Sequence, residues 1–324
     1  MDLKKKVIID CDPGVDDSFA LLLCIRFLDV KGIVAVGGNA GLDNTQRNAR
    51  YITELTKRTD IPVYAGYALP MLNKVERATS IHGKGGLGSL EIAEPKKQLE
   101  KQHGVDYLID TFMAHDDISL ITLGPLTNVA QAILKQPKLK ERIPEILIMG
   151  GSAMVGNATP TAEFNIYADP EAAKIVFESG IPIKMVGLNT TRQNPLGQEH
   201  ADKMKEIGGP VAEFCSEILG FYAGVLGTAT MPDAVTVGWW IDDSIITKSI
   251  KTHVTVETKG EYTRGMNVCD WRCYMGAEPS VDISRTNLGG FYGSETPNVD
   301  VAMEFDQKRF LDVLYDTLEW YKTI

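Results

Sequence analysis

VIIDCDPGVDDSFALLLCIRFL, residues 7–28, is the stretch from which the fold can be read. VIID (7–10) is a short apolar run bounded by a turn signal, which reads as a strand buried on both faces. Pro13-Gly14 makes a tight turn. Val15 then opens a helical stretch reaching Leu28. A buried strand joined to a helix by a short turn is half of a parallel crossover unit, and the question becomes whether the unit repeats.

It does repeat. GIVAV (32–36), ISLITL (118–123), EILIM (145–149) and IPIKMVG (181–187) read as further buried strands. Helical patterns lie between them at 15–28, 43–57 with Asp43 as N-cap, 105–114, 126–135 and 170–178. This alternation predicts an α/β fold with an open, mostly parallel, doubly wound (Rossmann-like) sheet and helices on both faces. After Glu213 the pattern changes. A long helix at 211–226 leads to HVTVET (253–258) and a glycine-containing turn, which suggests an antiparallel hairpin, and then to a strand VDVAMEF and a helix at 307–321. These form a C-terminal β-hairpin and helical elaboration. No linker, repeat or low-complexity stretch interrupts the chain, so residues 1–324 are expected to form a single domain.

The bulk properties exclude several function classes. Of 324 residues 44% are hydrophobic and 23% charged, an ordinary globular balance. Net charge is −10, from 33 basic against 43 acidic residues, with no basic cluster, so a nucleic-acid polymer is not an expected partner. No apolar run approaches the ~20 residues of a membrane span. MDLKKKVIID has too short an apolar stretch for a signal peptide and no small-residue cleavage site. The five cysteines are scattered, and Cys269 and Cys273 have no second ligand pair for a zinc site, so a reducing cytoplasm is the expected location.

In open parallel sheets ligands bind outside the carboxyl ends of the strands. Those ends carry Asp10, Asp12, Asp16 and Asp17, then Gly37, Gly38 and Asn39, then Leu123 and Gly124, then Gly150 and Gly151. Four carboxylates within eight residues raise the energy of the turn unless a cation or protons neutralise them. An all-oxygen, carboxylate-rich site suits Ca²⁺ or Mg²⁺ rather than zinc. Asp16 and Asp17 have a plainer alternative, stabilising the N-terminus of the following helix through its dipole.

DCDPGVDD resembles the N-terminal signature of the inosine–uridine-preferring nucleoside hydrolases, calcium-dependent ribonucleoside N-ribohydrolases. The resemblance continues, in order and spacing, through VGGNAGLDNTQRNA (36–49), HGKGGLG (82–88), LGPLTNVAQA (123–132), MGGSAMVGNATPTAEFNIYADPEAA (149–173) and TRGMNVCDW (263–271). It implies hydrolysis of the N-glycosidic bond of purine or pyrimidine ribonucleosides to ribose and free base. The implied Ca²⁺ ligands are Asp12, Asp17, Asp233 and the Leu123 carbonyl, with the ribose diol completing the shell. Asp16 and Asn39 match groups that bind the 2′- and 3′-hydroxyls. Asn157, Glu163 and Asn165 match a set holding the far side of the sugar and its 5′-hydroxyl, with Met149 beneath the ring. A Ca²⁺-bound water would be activated by Asp12 and attack through an oxocarbenium-like transition state with inversion. The base pocket is implied to form from loops 75–90 and 222–231. Relatives are usually dimers or tetramers, and nucleoside salvage is the implied role.

Several of these residues have duller readings. Asn39 follows a Gly-Gly pair and could be only a turn residue; Glu163 and Asn165 could lie on a solvated loop. His82, in a glycine-rich loop, is either surface or a residue beside the nucleobase that assists catalysis. Asp169 reads as the N-cap of the next helix, and Asn128 as structural. The pattern departs from the family at Pro232, where many members carry a histidine that helps the base to leave, and proline cannot donate a proton. It departs again at Asn189, where relatives usually have aspartate. Two other functions compete. A haloacid dehalogenase-type phosphatase would use Asp10 as nucleophile, Asp12 as acid and Mg²⁺, but Gly14 stands where that class wants Thr or Val. A catalytically impaired nucleoside- or ribose-binding protein would explain Pro232.

Overall fold

The computed structural model describes residues 4–72, 74, 77–193, 195–272 and 296–324. Ten strands form among them: β1 (Lys6–Cys11), β2 (Asp29–Ala35), β3 (Val63–Ala65), β4 (Ile118–Thr122), β5 (Ile146–Met149), β6 (Ile183–Val186), β7 (Ile246–Thr252), β8 (Val254–Val256), β9 (Asn267–Cys269) and β10 (Val299–Phe305). Eight of them build one sheet in the order β3-β2-β1-β4-β5-β6-β10-β7. Every pairing in it is parallel except β10 with β7. The expected doubly wound α/β sheet is therefore present, and its strand order reverses between β1 and β4.

Alternation along the strands explains why both faces are covered. On β1, Val7, Ile9 and Cys11 enter one apolar cluster while Ile8 enters the other. The second cluster is filled by helices Gly104–Ala114, Thr127–Lys135 and Pro170–Phe177, through Leu108, Phe112, Val129 and Phe177. The first holds the helix Val15–Phe27, buried at every position from Val15 to Ile25. A helix apolar all round needs partners on its outer side as well. Helices Pro210–Leu226, Pro232–Ile241 and Gln307–Lys322 supply them, so the C-terminal third of the chain caps the first crossover. This packing brings Pro232–Ile241 against Val15–Phe27, and with it residues from the two ends of the sequence.

Three details differ from the sequence reading. Helix Leu42–Leu55 is capped by Gly41, whose carbonyl accepts from the Asn44 and Thr45 N–H groups, and Asp43 lies inside the first turn. The chain enters the helix earlier than an Asp43 cap would place it, because the Gly41 carbonyl is already engaged by the first-turn N–H groups. HVTVET does form an antiparallel pair, but β8 and β9 make a separate two-stranded sheet with a long connection rather than a tight turn. Strands β3 and β7 were not read from the sequence. Among the described residues no helix is long and apolar enough to cross a membrane. Cys273 and the start of the 75–90 loop lie outside the described residues.

Candidate active site

The crevice at the carboxyl ends of β1 and β4 is where an open parallel sheet takes its ligand. Asp10, the first carboxylate of the turn, faces away from it. Its Oδ2 accepts from Asn128 Nδ2 at 2.8 Å, and Asn128 Oδ1 accepts from the Tyr67 N–H at 2.8 Å. Burial pushes the Asp10 carboxyl up to about 8. Asn128 is thus structural, as the sequence suggested.

The next three carboxylates turn inward. Asp17 Oδ2 accepts from the Gly14 N–H at 3.0 Å and from Asn39 Nδ2 at 2.9 Å, and its Oδ1 accepts from the Asp12 N–H at 3.2 Å. Asp17 therefore does cap its helix, and the plainer reading holds alongside any other. Asp12 Oδ2 accepts from the Asn39 backbone N–H at 2.6 Å. Asp12 Oδ1 is buried with no hydrogen-bond partner. A Cβ on Gly38 would collide with Asp12, and one on Gly124 would stand 2.6 Å from Oδ1, so glycine at both places lets the backbone close around the carboxylate. Asn39 is far more than a turn residue. It ties Asp12 to Asp17.

Asp233 arrives from the far end of the chain, on the first turn of helix Pro232–Ile241, with Pro232 at the favoured first position. Carboxylate oxygens of Asp16, Asp17 and Asp233 lie within 4.8 Å of one another, all buried. Asp12 stands beside this trio. Burial, reinforced by the neighbouring carboxylates, pushes Asp12 and Asp233 well above the usual carboxylate range. Asp16 and Asp17 rise to about 6, with burial the largest cause. Two helix N-termini favour negative charge here, but only modestly. Four buried carboxylates with unpartnered oxygens on Asp12 and Asp16 form a donor set that fits a hard cation.

The opposite wall comes from the loops after β4 and β5. Glu163 Oε2 accepts from the N–H groups of Gly151 (2.8 Å), Asn165 (2.9 Å) and Ile166 (3.3 Å), capping helix Phe164–Ala168. Burial pushes Glu163 up to about 7. Asn165 Nδ2 donates to the Leu123 carbonyl at 2.7 Å and to the Met149 carbonyl at 3.3 Å. Glu163 and Asn165 are both buried, which removes the solvated-loop reading. Asp169 caps helix Pro170–Phe177 through the Ala172 N–H, as expected.

His82 is buried, at 6% exposure, so it is not a surface residue. Its Nδ1 accepts from the Val15 N–H at 3.2 Å, which leaves the ring proton on Nε2. Burial lowers its pKa to about 4, so the ring is neutral. Its centroid lies 5.7 Å from that of Tyr222.

All this surrounds a cavity of about 740 Å³, onto which Asp16, Asn39, His82, Leu123, Met149, Asn157, Glu163, Asn165 and Asp233 open. Asp12 and Asp17 sit behind that lining, at 0% exposure. Residues 7–312 match the family model described as inosine-uridine preferring nucleoside hydrolase. The chain belongs to this family.

Curated and solved relatives agree. The chain is 35% identical to the pyrimidine-specific ribonucleoside hydrolase RihA of Escherichia coli K12, over 97% of this chain and 98% of that one. The solved purine-preferring ribonucleoside hydrolase from Gardnerella vaginalis superposes with a TM-score of 0.85 at 28% identity, covering 98% of this chain and 99% of that one. The plant nucleoside hydrolase PpNRh1 gives 0.87 at 29% identity, with 98% and 99% covered. The nucleoside hydrolase is an enzyme acting on ribonucleosides, and the phosphatase and impaired-binder readings are set aside.

The hydrolase also has features the sequence reading missed. Arg77 and Arg192 line the cavity, anchored on the Ala68 and Gly156 carbonyls at 2.8 and 3.1 Å. Neither has a local signature: Arg77 lies in the connection after β3, and Arg192 ends the short helix Leu188–Thr191. The departure at Asn189 now has a physical account: its Oδ1 accepts from the Ala153 N–H at 3.0 Å and its Nδ2 donates to the Ala302 carbonyl at 2.9 Å. An aspartate there could not make the second bond.

Proposed function

We propose that the hydrolase uses Ca²⁺, held by Asp12, Asp17, Asp233 and the Leu123 carbonyl, and that Asp12 is the base of the hydrolytic step. The observation that carries this is the meeting of buried carboxylates from both ends of the chain, with oxygens left unpartnered on Asp12 and Asp16. Bound there, the cation supplies an acidified water and a grip on the ribose 2′,3′-diol.

The protein's own groups do the rest. Asp12 Oδ1, with no partner of its own, accepts the proton while the Asn39 N–H fixes the other oxygen. Asp16 and Asn39 bind the diol. Asn157, Glu163 and Asn165 hold the sugar's far side and its 5′-hydroxyl, and Met149 lies beneath the ring. Positive charge developing on the ribose is stabilised by the acidic wall as the bond to the base breaks, with inversion at the anomeric carbon. His82 offers its Nε2–H to the departing base. Pro232, which lines the same cavity, has no proton to give.

Pyrimidine ribonucleosides are the favoured substrates in this reading, by similarity to RihA, and Ser80, Thr228 and Thr230 line the cavity in which the base would sit. The reading also takes the protein to be a cytoplasmic salvage enzyme assembled as a homodimer or homotetramer, which sedimentation would check. Chelator-stripped protein should be inactive on uridine and cytidine and regain activity with Ca²⁺, with one tight ion per chain by calorimetry. Full activity without any divalent ion would overturn the metal assignment. Faster release of hypoxanthine than of uracil would overturn the substrate preference.

A further inference from the structure

The acidic turn and the His82 loop belong to different connections, yet one amide joins them. Asn48, on the second turn of helix Leu42–Leu55, is fully buried. Its Nδ2 donates to the Pro13 carbonyl at 2.9 Å and to the Gly85 carbonyl at 2.8 Å. Both amide hydrogens are thereby engaged, one on the turn that carries Asp12 to Asp17, the other on the loop that follows His82. The approach is close: a Cβ on Gly86 would stand 2.8 Å from Asn48 Nδ2 and 3.2 Å from the Pro13 carbonyl oxygen.

The elements around this bridge are tied by further hydrogen bonds. Loop 82–88 closes on itself through Gly88 N–H to the His82 carbonyl (2.8 Å) and Gly86 N–H to the Gly83 carbonyl (3.1 Å). One turn before Asn48, Asn44 Nδ2 donates to the Lys84 carbonyl at 3.2 Å, and Thr45 Oγ1 donates to the Val36 carbonyl at 2.9 Å at the end of β2. The helix is therefore anchored to the sheet, and from that anchor it reaches both the acidic turn and the His82 loop. Among the described residues, the His82 loop and the acidic turn are also joined directly by the longer bond from the Val15 N–H to His82 Nδ1 at 3.2 Å.

We infer that Asn48 is a positioning residue of the hydrolytic reaction: it holds the imidazole of His82 at a set distance from the acidic turn, and so sets the hydrogen bond offered to the leaving base. The inference rests on the proposed role of His82. Satisfying two buried carbonyls would by itself stabilise the fold without any such effect, so the test must separate the two.

The full-length protein with Ca²⁺ is assayed on uridine, whose base needs help to leave, and on p-nitrophenyl riboside, whose leaving group does not. Asn48→Leu, which fills the site without a donor, should lower kcat/KM on uridine by roughly 10–100-fold, the size of effect that outer-shell partners have on a catalytic group. It should leave p-nitrophenyl riboside nearly unchanged. Adding His82→Ala to Asn48→Leu should cost little more on uridine than His82→Ala alone, because the two act as one unit. Equal losses on both substrates, or additive losses in the double variant, would overturn the inference. If Asn48→Leu does not fold, Asn48→Ser, whose hydroxyl can donate to one carbonyl at most, goes through the same comparison. If His82→Ala alone keeps the wild-type rate on uridine, the parent reading of His82 fails. If His82→Ala loses that rate and Asn48→Leu does not, only the Asn48 inference fails.

Discussion

The two ends of the central strands carry the same residue type to opposite effect. At the amino-terminal end, Asp117 lies 2.5 Å from Lys6 and Glu145 lies 3.3 Å from Lys5, all of them partly open to water. The Lys6 ammonium holds Asp117 below the usual carboxylate range. At the carboxyl end, Asp12, Asp16, Asp17 and Asp233 are buried and face one another, and burial drives every one of them upward. A solvated carboxylate takes a lysine as counterion and changes little. A buried cluster in want of positive charge is a site.

Substitution at each end tests this contrast. The largest effect is expected for Asp12→Ala, which should lower kcat by about 10³-fold or more, within the range for loss of a general base. Asp17→Ala and Asp233→Ala should weaken Ca²⁺ binding in calorimetry; wild-type rates and affinities in all three would break the contrast. Glu163→Gln comes next. It keeps the shape but replaces the carboxylate proposed to orient the sugar, so kcat/KM on uridine should fall by about 10²-fold or less with an unchanged circular dichroism spectrum.

A third test uses pH. The metal-free carboxyls have folded-state pKa values above their ordinary 3.8 to 4.5, at about 6 for Asp16 and Asp17, about 7 for Glu163 and about 8 for Asp10. The folded state then holds protons that the unfolded chain has already released. Their contribution to stability is complete below about pH 4 and is lost as pH rises towards 8. Melting of chelated protein should therefore fall across that window, and Ca²⁺ should raise it most at the alkaline end. A melting temperature that rises with pH in chelator would contradict the burial argument. The smallest effect belongs to the other end of the sheet, where Asp117→Asn should leave both uridine turnover and melting at wild-type values.

How much of this was legible beforehand depended on range along the chain. Asp12, Asp16 and Asp17 share one turn, so their clustering is visible in the sequence. Asp233 joined them only through a family resemblance, because no local pattern marks the first turn of helix Pro232–Ile241 as facing β1. Strand β3 is three residues long, and β7, ITKSIKT, is an edge strand on which only Ile246, Ile250 and Thr252 are buried, so neither shows the apolar run that betrayed the inner strands. Asn48 and Arg192 look like ordinary helix and loop residues. Their partners, Pro13, Gly85 and Gly156, are remote in sequence.

The amino-acid order by itself determined the parallel sheet, its two apolar faces and the acidic turn at the end of β1, since periodicity and turn chemistry act over a few residues. Tertiary structure alone decided which carboxylates meet. Asp10 turns to Asn128, Asp12 is enclosed by Gly38 and Gly124, and Asp16 and Asp17 meet Asp233. It also decided that His82 is buried and neutral. Burial and mutual repulsion depend on every element packed around a group, so they arise only once the helices have closed over the sheet.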